Sequence, residues 1–129
     1  MKTRHILSLL FLFLVAACGP KANDPAEPIL SGVKGQSLIG PMCPAAQSPC
    51  PDQQPYPTTL IVLTTDGREI LRFETDAEGK FAVNLPPGDY ILHPDRLEGA
   101  PLPSAPDVPF TVVENQFTNI IITFDSGIR

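Results

Sequence analysis

From residue 30 onward, the chain consists of short segments in which apolar residues recur at every second position. Phe81, Val83 and Leu85 show the pattern most clearly, and a period of two is typical of a β-strand with one buried face. Thr58–Thr65 is instead a continuous β-branched and aliphatic run, which predicts a strand buried on both faces. Asp66-Gly67 between two such segments predicts a two-residue hairpin turn. Strands are predicted at 29–39, 58–65, 69–74, 81–85, 90–93, 110–113 and 119–124.

Seven short strands and no convincing helix predict an all-β protein with one sandwich domain at residues 30–129. Composition agrees with this fold class, because 16 prolines among 129 residues exclude a long helical bundle. About 100 residues suffice for one two-layer core. The large side chains expected to fill that core are Phe73, Phe81, Tyr90, Phe110 and Phe124.

Residues 1–17 are predicted to be a signal peptide. Lys2 and Arg4 precede an apolar stretch over 6–17, which is shorter than the roughly 20 residues of a spanning helix. A buried N-terminal core helix is the alternative. Val15-Ala16-Ala17-Cys18 resembles the bacterial lipobox, which implies cleavage before Cys18 and lipid (a diacylglycerol and palmitate) on that residue. Ordinary cleavage near Ala17 without lipidation stays open.

Residues 18–29 are polar, rich in proline and free of large apolar side chains up to Pro28, which predicts a flexible tether. Loss of Lys2 and Arg4 with the signal peptide changes the formal net charge from −5 to −7. Such an acidic body gains nothing electrostatically from an anionic lipid surface, so the lipid on Cys18 has to hold it there. The predicted location is the cell envelope, and Gly19 after the cysteine favours the outer membrane if the source is Gram-negative.

Cys43 and Cys50 are the two thiols that remain for pairing in an oxidising compartment, and they predict a disulfide. Proline follows each of them, so a helix that would separate them is excluded. A metal site is the alternative, but a second pair of ligands at a workable spacing is missing. A redox pair is disfavoured because the Cys-x-x-Cys spacing is absent.

Two further motifs are Thr75-Asp76-Ala77-Glu78-Gly79-Lys80-Phe81 and Leu85-Pro86-Pro87-Gly88-Asp89-Tyr90. Together they resemble the signature of carboxypeptidase regulatory-like domains, which are prealbumin-type, transthyretin-like sandwiches, similar also to collagen-adhesin repeats. The resemblance covers residues 31–124 and implies a seven-stranded Greek-key sandwich. It implies turn positions for Gly79 and Gly88 and core positions for Phe81 and Tyr90. These motifs indicate a fold and no activity.

Catalytic chemistry has few candidate residues in this chain. His93 is the one histidine left after export, and a Gly-x-Ser-x-Gly elbow is absent. The chain lacks the Tyr-Arg-Gly-Ser ending of hydroxyisourate hydrolases. It also falls one His short of the two Tyr and two His that bind iron in intradiol dioxygenases, since the chain after export offers Tyr56, Tyr90 and His93. We therefore expect no enzymatic activity and no cofactor.

Acidic residues in the predicted turns raise the question of a calcium site. Asp76, Glu78 and Asp89 are explained by turn chemistry, so no metal is expected.

An acidic chain without a cluster of Lys and Arg disfavours nucleic acid, so no nucleic-acid partner is expected. The leading hypothesis is a non-catalytic, membrane-tethered module that is structural or binds an envelope protein. The alternative is a lipoprotein that binds carbohydrate or another small ligand, for which Tyr56 is the candidate contact. Partner capture by the proline-rich loop Pro94–Pro109 is a weaker third hypothesis.

Overall fold

The computed structural model describes residues 28, 30–44, 49–96 and 98–129 of the chain. The predicted signal peptide (1–17), Cys18 and, except for Pro28, the predicted tether (18–29) lie outside the described residues. The described part is all-β, and no helix in it could cross a membrane. Its eight strands are β1 (Gly32–Gly40), β2 (Gln54–Pro55), β3 (Thr59–Thr64), β4 (Glu69–Glu74), β5 (Lys80–Asn84), β6 (Gly88–Pro94), β7 (Val108–Val112) and β8 (Phe117–Asp125).

The strands form two four-stranded sheets that pack as a sandwich. In the first sheet β1 is central, with β5 and β2 antiparallel along one side and β8 parallel along the other. The β1–β8 register runs from Gly32 opposite Phe117 to Gly40 opposite Asp125. The second sheet has the order β4-β3-β6-β7, and all its pairs are antiparallel.

The core lies between the sheets, and the period of two decides which side chains enter it. On β8, Ile120, Ile122 and Phe124 are buried, whereas Ile121 between them is 69% exposed. All five predicted core aromatics belong to the core or pack against it, which confirms that part of the prediction. The buried apolar core residues are Val33, Leu60, Val62, Phe81, Leu85, Leu92, Ala105, Phe110, Val112, Ile120, Ile122 and Phe124.

The prediction that the third strand is buried on both faces is confirmed. Leu60 and Val62 face the core at 0% exposure, and Ile61 on the outer face is only 5% exposed. Arg72, which lies opposite Ile61 on β4, forms an ion pair with Asp95 just beyond β6. The aliphatic part of Arg72 therefore crosses the outer face of β3 and shields Ile61 from water.

Two local predictions were wrong. The described residues form eight strands and not seven, because the two-residue β2 is exposed and polar, so the apolar pattern does not reveal it. The β3–β4 turn has three loop residues, Thr65–Gly67, and not two. Gly67 N donates to Thr64 O at 2.9 Å, Thr64 N donates to Arg68 O at 2.8 Å, and Gly67 has φ +90°. A two-residue turn needs positive φ at Asp66, whereas here Gly67 adopts it and Asp66 does not.

Strand β1 runs along the whole sandwich, about 30 Å, so its first and last residues mark the two ends of the domain. At the entry end, where β1 begins, Ser31 Oγ donates to Leu85 O at 2.7 Å and Leu85 N donates to Ser31 O at 3.0 Å. At the disulfide end, where β1 finishes, Gly40 lies opposite Asp125 and leads into the segment that contains both cysteines. The chain thus enters the domain at one end and places its disulfide at the other.

Candidate functional site at the disulfide end

Cys43 and Cys50 form a disulfide, as predicted. Their Cα atoms lie 6.3 Å apart, within the range that a disulfide bridges. Closing so short a loop stabilises the fold by roughly 2–3 kcal/mol on the chain-entropy estimate. The C-terminal residues join the same end, because Ser126 N donates to Gly40 O at 3.0 Å and the Ser126 hydroxyl donates to Pro41 O.

A shallow groove opens between the start of the disulfide loop and the C-terminal residues. Its volume is about 540 Å³, within the range of small-molecule sites. Most of its surface is apolar, and Asp52 and Arg129 supply charge of opposite sign at its rim. The groove cannot be recognised in the sequence, because its lining comes from two segments far apart in the chain. The lining residues are Pro41, Cys43, Asp52, Ile128 and Arg129.

Arg129 is held in place by an ion pair with Asp125. Its Nη2 lies 2.9 Å from Asp125 Oδ2, and Gly127 N donates to Asp125 Oδ1 at 2.8 Å. The guanidinium of Arg129, followed by the Gly127 N–H, lowers the pKa of Asp125 from 3.8 to about 2. The carboxylate in turn raises the pKa of Arg129.

We expect this pair to make stability depend on pH in acid. Because the pKa of Asp125 is lower in the folded chain, its contribution is fully present above pH 3.8 and is lost as pH falls toward about 2. The free energy of unfolding of Asp125→Asn should therefore approach that of the wild type as pH falls through this window. NMR titration of the Asp125 carboxyl in the folded wild type checks that its pKa is lowered. An Asp125 pKa that stays near 2 in Arg129→Gln contradicts this account.

Tyr56 lies between β2 and β3, but its side chain is half-buried. Its ring packs on Phe124 with centroids 4.8 Å apart, and its backbone N donates to Ser37 O at 3.0 Å. The cavity beside Tyr56 holds only about 70 Å³, well below the 300 Å³ or more of typical ligand sites. The geometry assigns Tyr56 a packing role at this end of the sandwich.

Ser37 is the polar residue that organises this end, and no motif in the sequence marks it. It is fully buried in the middle of β1. Its hydroxyl lies 2.5 Å from Tyr56 O and 3.1 Å from Gly79 O, and its N donates to Gly79 O at 2.8 Å. Ser37 therefore ties the β4–β5 turn and the segment before β3 to the same strand.

The four signature residues take structural positions at opposite ends of the sandwich. At the disulfide end, Gly79 has φ +72° in the β4–β5 turn, and Phe81 is 8% exposed with its ring 5.5 Å from Phe73. At the entry end, Gly88 has φ +155° and begins β6. Tyr90 packs on the core, and its hydroxyl donates to Pro86 O at 2.6 Å.

The acidic turn residues have partners within the protein. Asp76 Oδ1 accepts hydrogen bonds from the backbone N of Glu78 at 2.9 Å and of Lys80 at 2.8 Å. Asp89 Oδ1 accepts from the Thr111 hydroxyl at 2.7 Å. Across 28, 30–44, 49–96 and 98–129, no three His, Cys, Asp or Glu side chains are grouped as metal ligands. Turn and strand hydrogen bonding accounts for both aspartates.

His93 lies on the outer face of the second sheet, away from the groove at the disulfide end. Its Nδ1 lies 2.6 Å from Asp107 Oδ1, which links β6 to the end of the long loop before β7. In the same loop the Arg96 guanidinium donates to Ala105 O. The structure does not bring His93 together with Tyr56, which packs between Phe124 and β1. The His93–Asp107 contact fastens the proline-rich loop to the sheet.

Comparisons with known proteins give a distant structural likeness. No family model and no curated protein matches the chain. A solved structure of the Bacillus anthracis TIE protein is similar to it, with 21% sequence identity and a TM-score of 0.47. The match covers 73% of this chain, which spans only 17% of the length of that protein.

Proposed function

We propose that the chain is a lipid-anchored, non-catalytic β-sandwich that acts as a structural or protein-interaction module of the cell envelope. In this proposal residues 1–17 are removed, Cys18 carries the lipid, 18–29 form the tether, and 30–129 form the module. In a Gram-negative cell the membrane is the outer one. The module needs no metal and no cofactor.

The opposite placement of chain entry and disulfide is the observation that carries the proposal. Residues that follow Cys18 join the sandwich where Ser31 is fastened to Leu85, at the entry end. The Cys43–Cys50 loop and the C-terminal residues lie at the far end of β1. A lipid on Cys18 would hold the entry end toward the membrane, so the disulfide end would face away from the membrane.

The strand arrangement supports assignment of the module to the carboxypeptidase regulatory-like, prealbumin-type sandwiches. The chain passes between the sheets at β2–β3, β4–β5, β5–β6 and β7–β8, as Greek-key sandwiches do. Gly79 and Gly88 have the positive φ that the signature implies, and Phe81 and Tyr90 pack with the core. Such a fold accommodates many functions, so the assignment adds no activity.

Mass spectrometry of membrane fractions tests the anchor. We expect the wild-type protein in the membrane fraction, with an acylated N-terminal Cys18 and a mass that includes the Cys43–Cys50 bridge. Cys18→Ser should lose both the acyl mass and membrane retention. Cys43→Ser, the matched control, should keep both because only the bridge is removed. Wild-type protein with an unmodified Cys18 and no membrane retention refutes the proposed anchor.

The groove at the disulfide end favours a second candidate function, a lipoprotein that binds carbohydrate or another small ligand. Its apolar lining with Asp52 and Arg129 at the rim offers both packing and charge-assisted hydrogen bonds. Tyr56, half-buried against Phe124, is not its contact residue. A glycan array tests the candidate, and reproducible binding that Arg129→Ala leaves intact excludes this groove as the site.

A further inference from the structure

Three of the sheet edges carry features that discourage pairing with another strand. On β4, the exposed edge of the second sheet, charged Glu69, Arg72 and Glu74 accompany a bulge opposite Leu63. The other edge strand of that sheet, β7, has five residues and contains a proline, which has no backbone donor. In the first sheet, β5 is equally short and begins with a lysine. Charge, bulges, proline and shortness all protect edges.

The fourth edge, β8, lacks these protections. It has nine residues, and no charged side chain occurs from Phe117 to Phe124. Among the described residues, β8 pairs with β1 on one side, and on the other only Ser104 bridges it, at Asp125. A long, uncharged edge strand with open hydrogen-bonding groups is a template for strand addition.

The backbone direction along β8 identifies the open groups. Gly32 N donates to Gln116 O, so the even-numbered residues of β8 face β1. Asp125 exchanges both hydrogen bonds with Ser104 on the opposite side, so the odd-numbered residues face away. The N–H and C=O groups of Asn119, Ile121 and Thr123 therefore point to the free edge. Their side chains are exposed as well, and Ile121, at 69%, exceeds the other exposed large apolar residues in the described part of the chain.

We propose that β8 pairs antiparallel with β8 of a second copy of this chain, about a two-fold axis at Ile121. In this register Ile121 lies opposite its own copy, and Asn119 lies opposite Thr123. Each of these pairs exchanges two backbone hydrogen bonds, because their groups already point to the free edge. Ile120 then lies opposite Ile122, so the sequence from Asn119 to Thr123 is close to symmetric about its centre.

The charge of the chain favours a second copy as the pairing partner of β8. Two acidic chains repel each other at most surfaces, but the paired segments bring no like charges together. Pairing also covers the exposed Ile121 side chain on both copies at once. The contact is smaller than the roughly 1,200 Å² or more of stable interfaces, so we expect a weak dimer that forms with rising concentration.

Antiparallel pairing places the two entry ends at opposite ends of the dimer. The 14 residues from Cys18 to the start of β1 reach at most about 45–50 Å, which exceeds the roughly 30 Å length of β8. Two lipids on one membrane are therefore compatible with the dimer if its strands lie along the membrane plane, so the outward-facing disulfide end of the proposed function belongs to the monomer.

The test compares the purified full chain with two variants, in excess nonionic detergent so that chains do not share a micelle. Sedimentation velocity over a wide concentration range should show a dimer that dissociates on dilution. Ile121→Lys should weaken it by roughly tenfold or more, because two lysines then lie opposite each other and the Ile121 contact is lost. Ile70→Lys, the same substitution at an exposed apolar site on the β4 edge, should leave the dimer unchanged.

Amide hydrogen exchange of the wild type provides a readout that needs no variant. Exchange at Ile121 and Thr123 should slow as concentration rises, whereas Ile120 and Ile122, bonded to β1, stay protected throughout. A monomer at every concentration, with fast exchange at the odd-numbered residues, overturns the proposal. Protection that is independent of concentration overturns it too, because another part of the same chain would then cover the edge. A dimer that Ile70→Lys weakens as much as Ile121→Lys places the interface elsewhere.

Discussion

Phe124→Ala is expected to lower the free energy of unfolding by about 3–5 kcal/mol. Phe124 is 3% exposed on the inner face of β8, and its ring lies on that of Tyr56 with centroids 4.8 Å apart. Alanine would remove the buried ring and leave a cavity that the rigid strands on either side cannot fill. The aromatic contact adds about 0.5–1.5 kcal/mol beyond the area buried. Urea unfolding followed by circular dichroism measures the loss as a lower midpoint.

Thr123→Ala is the matched control for this substitution. Thr123 precedes Phe124 on the same strand but points outward and is exposed. Its replacement should change the free energy of unfolding by no more than about 0.5 kcal/mol. Equal losses for the two variants contradict the alternation of β8. The comparison is made at low protein concentration, where the edge pairing of β8 does not contribute.

Gly79→Ala has the second largest expected effect, a loss of about 2–4 kcal/mol. Gly79 has φ +72°, a conformation that costs an L-residue about 1–2 kcal/mol. A Cβ at this position also comes within 2.3 Å of Ser37 O and 2.9 Å of Ser37 Oγ. Ser37 is buried, and its carbonyl accepts a hydrogen bond from Tyr56 N at 3.0 Å, so the carbonyl cannot move away from the added Cβ without straining that bond.

Gly67→Ala separates the cost of the backbone conformation from the cost of the steric clash. Gly67 has φ +90°, and a Cβ there meets no atom within 4 Å. Only the cost of the backbone conformation applies, so the loss should be about 1–2 kcal/mol. Thermal or urea unfolding of both variants gives the comparison. Losses of the same size would mean that the Ser37 carbonyl gives way to the added Cβ without cost.

The apolar pattern predicted most of the strands because burial between two sheets imposes a period of two. It could not resolve β8, where Ile120, Ile121 and Ile122 are chemically identical and only the register with β1 decides which faces outward. It also could not predict that the first and last strands pair in parallel. That pairing joins residues more than 80 positions apart, and nothing local in either strand records it.

The disulfide end shows a similar division between local and long-range information. Cys43 and Cys50 are close in sequence and have few alternatives, so their bond was predictable. Ser37 was not, because a serine flanked by ordinary strand residues becomes a buried connection only after the turn at Gly79 and the segment at Tyr56 meet it. Tyr56 is a candidate ligand contact in the sequence because its loop position is visible there, whereas its packing on Phe124 is not.

The parallel pairing of β1 and β8 determines how the domain responds to force. A pull between the start of β1 and the end of β8 draws the two strands in opposite directions along their length. The hydrogen bonds between them lie across the pull and are loaded together in shear, over a register of nine residues. They cannot open one after another, as in a hairpin pulled apart from its ends. The fold therefore resists stretching along the axis of β1 more strongly than its modest size suggests, and the rate of forced unfolding is set by this one strand pair.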